Sequence, residues 1–142
     1  MDTATTIPVD VIQLPERCYR CGDITAPVIG LRFGRTTIRG DDYEMYDDGG
    51  GWFLEYDYDS AAIVAAACSD DVLAVHGAGP IEWRTTRVIP DGYLANTCHH
   101  CGAVLGNWPL HEAFIEFQAE GGTLDHLPHF CAAIPSDLLQ QL

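Results

Sequence analysis

Cys18-Tyr19-Arg20-Cys21-Gly22 and Cys98-His99-His100-Cys101-Gly102 decide how this chain is built. Each stretch sets two thiols three residues apart, on a turn short enough to aim both sulfurs at one point. A glycine follows each second cysteine. Glycine enters the positive-φ region without steric cost, so backbone N–H groups can fold back toward the sulfurs. Two such half-sites supply four thiolates, the full complement of a closed structural zinc site. The spacing predicts that Cys18, Cys21, Cys98 and Cys101 share one Zn2+. Two separate disulfides, free thiol pairs and a four-thiolate iron site have the same spacing. Redox catalysis fits less well. It needs a thiol at a helix N-terminus, and glycine directly after each pair suits a turn.

Between the two knuckles, 76 residues separate Cys21 from Cys98, against about 15–20 in a compact ribbon. The intervening region, 23–97, must leave the first knuckle, build its own sheet and helix, and return. A chain of 142 residues is most simply one domain, 1–142. The metal would therefore close the whole domain and not a local finger.

The knuckles carry further detail. Leu14-Pro15-Glu16-Arg17 leads into the first, and Tyr93-Leu94-Ala95-Asn96-Thr97 into the second, which continues Ala103-Val104-Leu105-Gly106. These segments, about a quarter of the chain, resemble a group of uncharacterised bacterial zinc-ribbon-like proteins. Those proteins carry Tyr-x-Ala-Asn before their second CxxCG. His99 stands where they often have proline, and Asn107 where they often have aspartate; neither change removes a thiolate. The resemblance implies a zinc-bound fold and supplies no activity.

Charge is the second bias. There are 21 acids against seven bases, a formal charge of −14. All seven bases are arginine. Such a surface repels phosphate backbones and anionic lipid, and favours a protein partner with a basic surface. No apolar run approaches the roughly 20 residues of a membrane span. The first residues carry an acid where a signal peptide carries bases. The expected compartment is the cytoplasm, where thiols stay reduced.

Local patterns predict an α+β fold: a small antiparallel sheet with one short helix, closed by a zinc-ribbon-like pair of knuckles. Residues 1–17 read as an extended arm in which Val9 and Val11 flank Asp10, as in an edge strand interrupted by Pro8. Strands are expected over 27–33, 36–39, 52–58 and 81–89, with a loop over 41–50. Asp59-Ser60 would cap an alanine-rich helix to about Cys68, and Ser69 would break it or cap a second turn. Residues 111–117 suit either strands or one helix. A terminal helical turn is expected over 135–141.

Between the knuckles, Asp41, Asp42, Glu44, Asp47 and Asp48 interleave with Tyr43, Tyr46 and Trp52. Acids solvate a surface, and aromatics anchor interfaces; this segment is the expected partner-binding surface. On a strand, Glu55, Asp57 and Asp59 would share one face and Tyr56 and Tyr58 the other. A calcium loop starting at Glu55 fails, because Ser60 and Ala66 stand where glycine and glutamate are required. Cys68 and Cys131 fall outside the pairs and read as core thiols. His126, His129 and Cys131 offer a second metal site or a nucleophile pair, but Pro128 denies them a common helical face. His99 and His100 lie inside the knuckle turn and read as exposed. Arg32, Arg35 and Arg39 form one basic group and Arg84 with Arg87 another, both expected to pair with surplus acids. No P-loop, dinucleotide fingerprint, nucleophile elbow or His-Glu-x-x-His motif occurs. The function expected is an acidic protein-interaction module, not an enzyme. The alternative is an acidic inhibitor or immunity protein that mimics nucleic acid or neutralises a basic enzyme.

Overall fold

The computed structural model describes residues 5–33, 45–47, 52–56 and 58–140. Strand β1 (Thr6–Gln13) leads into the first knuckle, which is bracketed by β2 (Glu16–Arg17) and β3 (Ile24–Thr25). Strands β4 (Val28–Phe33), β5 (Met45–Asp47) and β6 (Trp52–Glu55) follow, then helices α1 (Tyr58–Ala67) and α2 (Asp70–Val75). Strand β7 (Glu82–Arg84) precedes the second knuckle, bracketed by β8 (Tyr93–Thr97) and β9 (Val104–Leu105). The chain ends with α3 (Asn107–Ala119), a 3-10 turn at Leu124–His126, β10 (His129–Pro135) and α4 (Ser136–Leu139).

The main sheet is antiparallel, in the order β10-β1-β4-β6-β5. Its alternating side chains feed two cores. Val9, Val11, Leu31, Phe33 and Leu54 pack with Ala61, Ile63 and Val64 of α1, Leu73 of α2 and Leu139 of α4. Ile12, Ile29 and Phe53 pack on the other face with Leu110 and Phe114 of α3. Helices thus cover both faces, which is why β4 is buried nearly throughout and shows no polar face. Gly30 lies in β4 where a Cβ would collide with the Phe53 ring.

The α+β class and the antiparallel sheet are as expected; the details differ in instructive ways. Strand β1 is not an edge, because β10 pairs along its outer side from Thr6↔Pro135 to Ile12↔His129. Pro8 is tolerated there because the opposite pairing, to β4, begins only at Asp10. Four helices stand among the described residues, not one. The 111–117 segment belongs to the longer α3, and Ser69 caps α2 by accepting from the Val72 N–H at 3.2 Å. The strand expected over 52–58 ends at Glu55, and Tyr58 already belongs to α1. The two-faced reading of residues 55–59 therefore fails. The strand expected over 81–89 is only β7, because Thr86 Oγ1 accepts from the Ile89 N–H at 2.9 Å and turns the chain. Met45–Asp47, expected within a loop, forms β5 against β6. The strand expected over 36–39 lies outside the described residues.

Candidate metal centre

Both knuckles are built alike. Each sits at the tip of a two-residue antiparallel ladder, Glu16↔Thr25 and Arg17↔Ile24 for the first, Asn96↔Leu105 and Thr97↔Val104 for the second. In the first, the Cys18 N–H donates to Asp23 O (2.9 Å) and the Gly22 N–H to Cys18 O (2.9 Å). In the second, the Cys98 N–H donates to Ala103 O (2.8 Å) and the Gly102 N–H to Cys98 O (3.0 Å). Gly22 and Gly102 take φ of 80° and 75°, the region that the sequence required glycine to supply. The Arg20 N–H approaches Cys18 Sγ and the His100 N–H approaches Cys98 Sγ, each at 3.4 Å. One fold of the backbone has been used twice.

The two turns face each other. Cys18 Sγ lies 3.6 Å from Cys101 Sγ, and Cys21 Sγ lies 3.7 Å from Cys98 Sγ. All four sulfurs fall within 4.8 Å of one another. A disulfide needs about 2.05 Å, so these are not bonded pairs. A tetrahedral ion with metal–sulfur bonds of about 2.3 Å has sulfur–sulfur edges of about 3.8 Å. The four cysteines are therefore placed to hold one metal ion. Cys18 and Cys98 are buried on the protein side, and Cys21 and Cys101 face solvent.

The sulfurs differ electrostatically. The Cys21 backbone N–H pulls the Cys18 thiol down to about 6, against partial desolvation and with help from the Arg20 N–H. The Cys21 thiol is pushed up to about 12. There the backbone N–H at Asp23 favours the thiolate, but desolvation and the three neighbouring sulfurs outweigh it. A divalent cation relieves that repulsion by holding all four as thiolates.

Several residues outside the two CxxCG turns position the centre. Asn96, 1% exposed, accepts from the Val28 N–H (3.1 Å) and donates to Val28 O (2.9 Å), tying the second knuckle to β4. Thr25 Oγ1 accepts from the His99 N–H at 3.0 Å, joining one knuckle to the other. His100 Nε2 meets Ile24 O at 2.9 Å across the same seam. Gln13 donates to Ala26 O (2.8 Å) and His76 O (2.9 Å), locking the first knuckle's exit to α2. Arg17 donates to Gly22 O at 2.7 Å, and the Arg84 guanidinium donates to Gly102 O. Each closing glycine thus has an arginine on its carbonyl. Asn96 stands within the quoted segment before Cys98, so its place was visible and its role was not.

The remaining sequence candidates fall apart or fall outside. His126, His129 and Cys131 do not close on one point. Among the described residues, the four cysteines are the one group of three or more His, Cys, Asp or Glu that does. Cys68 is buried as expected, but Cys131 is exposed, because it alternates outward from Phe130 and Ile134 on β10. His99 and His100 are exposed. Arg32 pairs with Asp10 (3.4 Å) and Asp125 (3.0 Å), and Arg84 with Glu82 (3.4 Å), in line with the expected acid pairing, whereas Arg87 forms no ion pair with the described residues. Arg35 and Arg39 lie outside the described residues. So do Asp41, Asp42, Tyr43, Glu44 and Asp48, while Tyr46, Asp47 and Trp52 are described only as backbone of β5 and β6. No described helix is long and apolar enough to cross a membrane.

No family model, no curated protein and no solved structure matches this chain.

Proposed function

We propose that the four sulfurs hold one Zn2+ as a structural clasp, and that the chain is a cytoplasmic, acidic protein-interaction module with no chemistry of its own. The observation that supports this reading is the closed ligand set. Four protein sulfurs at tetrahedral spacing leave a bound ion no position for water or substrate, unlike a catalytic zinc with three protein ligands. The formal charge of −14 gives the partner its sign: a basic protein surface is drawn in, and nucleic acid phosphates are repelled. The proposed contact segment is Asp41 to Trp52, where acids and aromatics interleave. An inhibitor of a basic enzyme would use the same charge.

Two measurements test the proposal. Elemental analysis of the purified chain is expected to give one zinc per chain. Crosslinking is then compared between the parent and a variant with Asp41, Asp42, Asp47 and Asp48 all changed to arginine. Partner capture is expected to be lost. Unchanged capture would sink the surface assignment, and zinc absent from a folded protein would sink the clasp. Salt-sensitive blockade of a nucleic-acid enzyme by the parent alone would select the inhibitor reading.

A further inference from the structure

Beside the metal centre, a cleft of about 940 Å3 opens between the end of β6, the segment leading into β8 and the first turn of α3. Its volume lies within the range of small-molecule sites. Two of its walls come from the knuckles: Tyr19 sits between the first pair of cysteines, and Val104 follows the second. The rim is aromatic and open, with Tyr19 76% and Trp108 68% exposed. The floor is polar. The Glu55 side chain, 12% exposed, pairs with His111 Nδ1. Asn107 Oδ1 is buried and receives no hydrogen bond from the described residues. Glu55, Asn107 and His111 also line a void of about 10 Å3 beneath the cleft, the lower limit for a single water. The Asn107 acceptor therefore calls for a donor, either from one water there or from a ligand above it.

We propose that this cleft binds a small organic cation of the guanidinium or amidinium class. Glu55 offers acceptors to its N–H groups directly, and the buried Asn107 Oδ1 through a water in the void. Trp108 and Tyr19 offer ring faces on which a planar cation stacks. The described lining contains no arginine, its one basic group being His111 on the Glu55 carboxylate, and the chain's charge of −14 draws cations toward it. The first turn of α3 lines the same cleft and favours anions, so a carboxylate is the competing ligand to be tested directly. The proposal does not depend on the protein-interaction reading above.

The probe is benzamidinium, titrated into the metal-loaded full chain and followed by calorimetry and tryptophan fluorescence. Benzamide and benzoate serve as neutral and anionic isosteres. Saturable benzamidinium binding below about 1 mM is expected, with both isosteres at least tenfold weaker. Trp108→Ala should weaken binding about tenfold without lowering the melting temperature, because the indole is exposed. Asn107→Asp should tighten binding and Glu55→Gln should weaken it, an opposition that a merely structural role would not produce. If Glu55→Gln does not fold, the other two variants still decide. Absence of benzamidinium binding overturns the assignment, as does benzoate binding of equal strength, or affinity indifferent to Trp108→Ala and Asn107→Asp. A pentapeptide with one arginine among glycines carries the same cation on a protein. Binding of that peptide but not of benzamidinium would overturn the small-ligand assignment and place the cation on a protein partner.

Discussion

Replacing Asn96 with alanine tests how the second knuckle is held to the sheet. Asn96 is 1% exposed, and its amide does for Val28 what a neighbouring strand would, with one bond accepted and one donated. Alanine removes both partners at once and leaves a buried N–H and a buried C=O without them. Each orphaned group costs about 1–3 kcal/mol, so the loss is about 2–6 kcal/mol. Unfolding entropy near 60 °C is about 2.1 cal/mol/K per residue, or about 0.3 kcal/mol/K for a chain of this length. A mid-range loss of about 4 kcal/mol then lowers the melting temperature by about 13 °C. Thermal unfolding by circular dichroism, with metal content measured on the same sample, reads this out. Asn96→Asp is the informative companion. One carboxylate oxygen still accepts from the Val28 N–H, but the other faces the Val28 carbonyl with no proton to give, so no rescue is expected at neutral pH. A drop of less than about 3 °C for the alanine variant, with zinc retained, would refute the reasoning.

Cys98→Ser opens a loop of roughly 80 residues. By analogy with a disulfide of that span, the loss is about 4 kcal/mol, and the whole melting curve should shift rather than one segment; melting like the parent would refute the clasp. The Glu16 carboxyl is raised above its ordinary value by desolvation and by Glu116. A raised acid binds its proton more tightly folded than unfolded, so its ionisation removes stability as pH rises from about 4.5 upward. Glu16→Gln should therefore raise the melting temperature at pH 7 and leave it unchanged near pH 3; an equal shift at both would count against this cause.

The centre was legible because its chemistry is local. Two thiols and a glycine on one short turn encode the knuckle, and the same pattern twice encodes four ligands. The alanine-rich α1 was legible for the same reason, since propensity acts within a few residues. The place of β1 inside the sheet was not, because its outer neighbour β10 arrives from the far end of the chain. Phe130, Ala132 and Ile134 do alternate in β10, but small residues at Ala132 and Ala133 dilute the pattern. The strand expected over 52–58 stops at Glu55 although Tyr56 and Tyr58 suit a strand, because Tyr58 opens a helix that buries Ala61 and Val64. The roles of the positioning residues Gln13, Thr25 and Asn96 were invisible for another reason. A polar side chain that bonds a distant backbone looks the same in sequence as one that faces water.

The pairing of β1 with β10 also sets a timetable. Val9 meets Ala132, so the two strands leave the ribosome about 120 residues apart. At about 5–20 residues per second the first waits some 6–24 seconds for the second. During that interval its outer edge is unpaired, and the sheet cannot close until β10 has been made. Closure of this sheet is therefore a late event, set by the last of its strands to be made.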